Sequence, residues 1–221
     1  MAGSCWILRE RPMTNERFLE LCRYESRLAA EGFRLIAGID EAGRGPLAGP
    51  VAAACVILPA EGPFVKGADD SKKLSEKRRE SLYDEIKACC VSYGVCMIGN
   101  ERIDEINILQ ATYEAMREAI RIASAAAGRN PEQLLVDHVR IPAVEIPQLS
   151  ITHGDAQSVS IASASILAKV ERDRLMKQYD ERYPQYGFAK HKGYGTKQHY
   201  EAIAAYGPCE IHRRTFLKGR I

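Results

Sequence analysis

Apolar residues return along this chain in two rhythms, one near 3.6 residues and one of short unbroken runs. Phe18, Leu19, Leu21, Cys22 and Leu28 follow the first, which predicts a helix over 14–30 that Gly32 stops. Residues 35–40 and 51–58 follow the second and read as buried strands, with Gly43, Gly45, Pro46, Gly49 and Pro50 marking the turn between them. Ser75 is placed to cap a helix whose apolar face continues through Leu82, Ile86 and Cys89. Residues 91–98 alternate as a strand, and 101–127 is helical in composition, broken near Asn107 and closed by Gly128. Further extended pieces are predicted over 134–139 and 149–152. The strongest helix, 158–179, sets Ile161, Ala164, Ser165, Ala168 and Arg172 along one side, several of them small enough to lie close on a sheet. A shorter helix, 196–206, precedes Gly207 and Pro208. Strands alternating with helices in this order define an α/β domain on a mixed sheet with a helical C-terminal part.

Length and composition narrow this further. At 221 residues, 46% hydrophobic and 27% charged, the chain can bury a sizeable core as one domain with a small appendage. Its seven cysteines are odd in number and show no disulfide-framework spacing, and Cys55 reads as a small buried hydrophobe. The first residues lack the apolar core of a signal peptide, and the most apolar stretch, 47–60, is too short for a membrane span. The expectation is a soluble protein of the reducing cytoplasm.

Net charge is +2, which says little, but its distribution says more. From Lys169 onward there are 12 Lys+Arg against 6 Asp+Glu, and six of the ten tyrosines lie there. Basic charge interleaved with aromatics suits a polyanion with stackable groups, meaning nucleic acid; a solvated surface over core tyrosines is the plainer reading.

Acids close two of the apolar runs. Asp40 and Glu41 end the first strand, Asp137 ends Leu134-Leu135-Val136, and Asp155 stands just before the long helix. Each could merely mark where a strand meets water, and Asp155 could cap the helix. If they converge instead, carboxylates ~4 Å apart repel by about 4 kcal/mol per pair at an effective dielectric of ~20, and the cluster needs protons or cations. Oxygen ligands without His or Cys suit Mg²⁺ or Mn²⁺. Adjacent strand residues face opposite sides, so Asp40 and Glu41 share a site only if the strand bends, which Gly43 would ease.

Gly43-Arg44-Gly45-Pro46-Leu47-Ala48-Gly49 invites a nucleotide-loop reading, but Pro46 and Pro50 spoil the helix such a loop should open. The glycines either turn the chain or let backbone approach a sugar–phosphate, with Arg44 supplying charge. Residues 186–196 gather aromatics, glycines and lysines before a helix. Lys190, Lys192 and Lys197 there suit a phosphate, and Tyr194 suits stacking on a base or sugar; a flexible solvated loop is the alternative. Cys209 and His212 lack a second pair for zinc, and no Gly-x-Ser-x-Gly elbow accompanies the helix serines. His153, His191 and His199 read as polar surface or hydrogen-bonded groups.

Together these blocks resemble one family. The run from Ala37 through Asp40-Glu41-Ala42-Gly43-Arg44-Gly45-Pro46 to Val51 is similar to the signature of bacterial ribonuclease HII. Asp70-Ser71-Lys72-Lys73-Leu74-Ser75, Leu135-Val136-Asp137, Gly154-Asp155, Ser160 through Asp173, His191 through Thr196 and Ile211 through Arg214 follow in the family's order. The resemblance covers about residues 33–216. It implies a ribonuclease H-like fold, a five-stranded mixed sheet flanked by helices, with an N-terminal helical extension over 1–32 and a catalytic domain over 33–221. A C-terminal helical part that contacts substrate would begin at about residue 180.

The resemblance also implies an endonuclease that cuts RNA in RNA–DNA hybrids and cleaves 5′ of single ribonucleotides in DNA duplexes, using two divalent ions, Mg²⁺ or Mn²⁺. Its acids fall on Asp40, Glu41, Asp137 and Asp155, and its junction-reading elements on Gly43, Arg44, Gly45 and Tyr194. Lys192 and Lys72 would hold phosphates. A monomer without membrane contact is expected. Departures lie at His138, where a small residue is usual, and His153, where Lys is common. Asp155 and the short N-terminus argue against the related ribonuclease HIII. A hybrid binder that does not cut, and a phosphatase acting on small esters, are the competing classes.

Overall fold

The structure, a computed structural model, describes residues 13–219. Cys5, the earliest part of the expected 1–32 extension and the segment read for a signal peptide lie outside the described residues. Strand β1 (Leu35–Ala42) is the middle of a five-stranded sheet ordered β3-β2-β1-β4-β5. It pairs antiparallel with β2 (Val51–Pro59), which pairs antiparallel with β3 (Ser92–Ile98). On its other side β1 runs parallel to β4 (Gln133–Asp137), and β4 parallel to β5 (Gln148–Ile151).

The unbroken apolar run of β2 follows from cover on both faces. Ala53, Cys55 and Ile57 pack with Leu35, Ala37, Ile39 and Val136 under helix α5 (Ile108–Ala127). Ala54, Val56 and Leu58 face helix α6 (Val159–Arg182) and helix α3 (Glu76–Cys89). The break near Asn107 is real: its φ is +68°, it ends α4 (Asn100–Ile106), and its side chain accepts from the N–H groups of Leu109 and Gln110 to start α5. Ser75 caps α3 by accepting from Arg78 N–H. A third cluster of Leu47, Met176, Tyr186, Phe188 and Ile203 joins the C-terminal part to the turn after β1. Among the described residues no helix is long and apolar enough to cross a membrane.

Several boundaries differ from expectation. The predicted first helix is two, α1 (Asn15–Leu21) and α2 (Arg23–Ala30), because Cys22 leaves helical geometry with ψ 2°. The fourth strand stops at Asp137 rather than residue 139, since His138 takes φ +57°. The stretch 186–196, read as a loop, contains a short helix α7 (Phe188–His191) before α8 (Lys197–Tyr206), which Thr196 caps. A final short helix, α9, covers Arg214–Leu217.

Candidate active site

The parallel strands β1 and β4 stay in register to Ile39 and Val136, and the next residues are Asp40 and Asp137. Both lie at the carboxyl ends of parallel strands, where open α/β sheets place their ligands. They share the α6 face of the sheet with Ile36 and Leu135. Helix α6 lies very close here. A Cβ on Gly38 would sit 2.0 Å from the Ser160 carbonyl, so only glycine admits the helix at this distance. That approach brings Ser165 onto Asp40, and the Ser165 hydroxyl is in turn 2.9 Å from that of Ser71.

Asp40 is buried, and one of its oxygens accepts from Glu41 N–H at 2.7 Å. The strand does not bend between the two acids: Asp40 and Glu41 remain paired with Ala54 and Ala53, and the turn comes at Gly43 with φ +91°. Glu41 nonetheless reaches the same end of the sheet, 3.4 Å from the Arg44 guanidinium and near enough that its charge acts on Asp40 and those of Asp137 and Lys72 act on it, so the two acids share the site without the expected bend. Asp137 accepts from Gly154 N–H at 2.6 Å, which draws the 3-10 turn Gly154–Ala156 and the buried Asp155 against the strand ends. Asp155 does not cap α6. Ser158 does, accepting from Ile161 N–H, which leaves the Asp155 carboxylate to the site, 3.6 Å from Lys72 Nζ.

The electrostatics are those of crowded acids. Burial, then the charges of Glu41 and Asp137, raise Asp40 well above the ordinary carboxylate range. Burial raises Glu41 against the pull of Arg44, and burial with Asp70 raises Asp155. Partial burial works against the Lys72 ammonium, but Asp155, Asp70, Asp40 and Asp137 outweigh it and raise its pKa. Among the described residues no three His, Cys, Asp or Glu side chains already form a closed metal-ligand set, and Asp40 and Asp137 are each held by a backbone N–H. The donor set is nonetheless all oxygen, and its mutual repulsion is what a hard divalent cation relieves, so the residues fit Mg²⁺ or Mn²⁺.

The substrate-reading candidates divide. Gly45 and Tyr194 come together: a Cβ on Gly45 would lie 3.6 Å from the Tyr194 ring, which is 46% exposed. Arg44 is half-buried and turned toward Glu41. Lys72 reaches the acids. Lys192 turns inward, its ammonium on the Ala189 carbonyl and 3.9 Å from Glu76, so it does not stand with the others.

Beneath Tyr194 lies a buried histidine chain that sequence reading treated only as scattered polar groups. His199 Nδ1 is 2.9 Å from the Tyr194 carbonyl and must donate to it, so its Nε2 accepts from His212 Nε2 at 3.0 Å. His212 Nδ1 then accepts from Cys209 N–H. His191 stacks on His199 and accepts from Gly193 N–H. This arrangement requires neutral rings. Burial, and for His212 the adjacent His199, push both down to about 4. A histidine depressed in the folded state stabilises fully above its unfolded pKa of about 6.5 and loses that contribution as pH falls toward 4. The urea midpoint should therefore decline steadily from pH 6.5 to 4, with a shallower slope in His212→Gln. An equal slope in both proteins would sink this account of the pair.

Other buried polar groups also escaped the sequence reading. Glu25 accepts from Ser158 Oγ at 2.6 Å and Ser160 N–H at 3.0 Å, tying α2 to the start of α6. Its position between Leu21 and Leu28 on an apolar stripe was the available signal. Arg172 carried the same signal, on one side of its helix with Ile161, Ala164, Ser165 and Ala168, whereas Arg213, equally buried, gave none.

A mixed sheet of this order, with acids gathered beyond its parallel strand ends, puts the protein among the ribonuclease H-like enzymes, whose chemistry depends on a divalent metal. The family model for ribonuclease HII matches residues 37–219. The ribonuclease HII of Caldanaerobacter subterraneus subsp. tengcongensis is 53% identical over 217 residues, covering 98% of this chain and 86% of the relative. That of Bacillus anthracis is 56% identical over 201 residues, covering 91% and 76%. The crystal structure of the ribonuclease H2 from Pyrococcus horikoshii OT3 superposes with a TM-score of 0.66 at 26% identity, covering 82% of this chain and 93% of that one. The chain belongs to the ribonuclease HII family, and is an endonuclease of the ribonuclease H type.

Proposed function

We propose that this protein hydrolyses the RNA strand of RNA–DNA hybrids and cuts on the 5′ side of single ribonucleotides embedded in duplex DNA. Asp40, Glu41, Asp137 and Asp155 are the catalytic acids in this reading. The observation that carries it is the meeting of Asp40 and Asp137 beyond the last paired residues of β1 and β4, with Glu41 and Asp155 close enough to share their electrostatics.

These four acids would hold two divalent ions, Mg²⁺ or Mn²⁺. Bound there, the ions supply positive charge that activates water and stabilises the leaving 3′-oxygen. The chain's own residues do the rest. Ser165 and the Glu41 N–H fix Asp40, the Gly154 N–H fixes Asp137, and Arg44 steadies Glu41. Backbone of Gly43, Arg44 and Gly45 meets the 2′-hydroxyl, the group that separates RNA from DNA, and Tyr194 stacks on the deoxyribose beside it. The 1–32 segment is an extension of the 33–221 catalytic domain, and the protein acts as a cytoplasmic monomer.

The test is a panel of labelled duplexes with Mg²⁺ or Mn²⁺: one DNA with a single ribonucleotide, one RNA–DNA hybrid, one all-DNA and one all-RNA. Cuts are expected in the first two only. Binding of the hybrid without any cut would favour a non-cutting binder, and turnover of a small phosphomonoester instead would favour a phosphatase.

Lys72 is 80% exposed at its side chain and stands over the acids, where a scissile phosphate would pass. Lys72→Ala should raise KM several-fold and flatten the log–log salt dependence of binding by about 0.9, the loss of one phosphate contact. An unchanged salt slope would remove Lys72 from the substrate path.

A further inference from the structure

We infer that Arg213, backed by Arg172, is a positioning residue for ribonucleotide discrimination: it grips the turn after β1 from inside, so that the N–H groups of Arg44 and Gly45 face outward as hydroxyl readers. The inference rests on the reading of residues 43–45 given above and adds the device that shapes them.

Arg213 donates to the carbonyls of Gly43 at 2.6 Å, Arg44 at 2.8 Å and Gly49 at 2.9 Å. Arg172 donates to Pro50 at 2.9 Å, Lys192 at 3.0 Å and Ala48 at 3.2 Å. Two guanidiniums thus hold six carbonyls, five from the turn and one two residues before Tyr194. Both side chains are buried, 0% and 1% exposed, and lie near enough to repel each other. Burying two like charges on neutral acceptors is costly, and neutral donors would close a purely structural turn at less cost.

The peptide geometry shows what this arrangement achieves. The peptides joining 43 to 44 and 44 to 45 are trans, so each N–H points away from the carbonyl of its own peptide unit. With the carbonyls of Gly43 and Arg44 drawn inward to Arg213, the N–H groups of Arg44 and Gly45 are turned out. Neither has a backbone partner among the described residues. Gly45 is exposed and lies against the Tyr194 ring. Gly43 must lack a side chain for this grip, because a Cβ there would fall 2.0 Å from Arg172 Nε. Two aligned donors backed by fixed positive charge suit an acceptor oxygen on an anionic backbone, as a ribose hydroxyl beside its phosphate is.

Arg213→Lys is the informative variant. It keeps the charge but has no planar fork to span three carbonyls at once. Binding is measured in EDTA, where no cutting occurs, to a duplex with one ribonucleotide and to the same duplex in all-DNA form. Wild type should prefer the ribonucleotide, and Arg213→Lys should lose about tenfold of that preference while its affinity for all-DNA stays within about twofold. A folded variant with its preference intact overturns the inference, as does an equal loss on both duplexes. Amide hydrogen exchange on the unaltered protein tests the same point without a variant. The Arg44 and Gly45 amides should be protected by the ribonucleotide duplex and not by all-DNA, and equal or absent protection overturns the inference. A wild type without any preference sinks the underlying reading of residues 43–45, an outcome distinct from an intact preference in the variant.

Discussion

Asp40→Asn protein is expected to bind a ribonucleotide-containing duplex as well as wild type does and to cut it at least about 10³-fold more slowly, a loss of ~4 kcal/mol of transition-state stabilisation. The change keeps the shape of the side chain and its bond from Glu41 N–H while removing the charge at the centre of the acid cluster. Without that charge, the repulsion that Glu41 and Asp137 exert on position 40 is gone. The same substitution should raise thermal stability in EDTA. An acid whose folded pKa lies above its unfolded value costs stability when ionised at neutral pH, so neutralising it relieves the fold. Adding Mg²⁺ should then raise the Tm of wild type and leave that of Asp40→Asn nearly unchanged. Single-turnover cleavage and melting curves with and without metal check all three outcomes. Full cleavage by Asp40→Asn would remove this residue from the chemistry.

The second large effect is structural. Gly38→Ala places a methyl group 2.0 Å from both the carbonyl carbon and oxygen of Ser160 and 2.5 Å from Ile161 N. These are backbone atoms of α6 and cannot swing aside as a side-chain tip would. The helix must move off the sheet, with an expected loss of about 3 kcal/mol or more. Because the same helix carries Ser165 onto Asp40, activity per folded molecule should fall too. Gly99→Ala is the control. Nothing lies within 4 Å of a Cβ there, and the change should cost under about 1 kcal/mol. Equal denaturation midpoints for Gly38→Ala and wild type would contradict the close approach.

What the sequence made legible, and what it hid, separates along physical lines. The β2 run read correctly because a strand covered on both faces has no polar positions to confuse the pattern. The α4–α5 break was visible because Asn107 caps with its own side chain, a local event. Asp40 and Asp137 stood out as acids closing apolar runs, although the first proved to lie inside its strand, still paired with Ala54, rather than at the edge of water. The placement of Asp155 could not be decided from sequence, since Ser158 and Asp155 are both able to cap a helix and only the fold shows which does.

Lys192 illustrates the opposite failure. A lysine in a basic, glycine-rich stretch suggests a phosphate contact, but α7 turns its side chain back onto Ala189. The partners of the buried arginines were hidden for a simpler reason. Arg213 meets Gly43 across 170 residues, and hydrophobic periodicity carries no information about partners that distant. The histidine chain is invisible to periodicity on the same ground, since His199 and His212 lie on different segments and meet only through the fold.

The most direct test of the central claim is the chemistry of the cut ends. A duplex with one ribonucleotide, labelled on both sides of it, is incubated with Mg²⁺ and its products are resolved against authentic standards. Attack by water within the acid cluster predicts one break 5′ of the ribonucleotide, a 3′-hydroxyl and a 5′-phosphate, and no product in EDTA. A 2′,3′-cyclic phosphate, or cutting that persists in EDTA, would mean that the 2′-hydroxyl itself attacks and that the four carboxylates do not hold the reaction's metal.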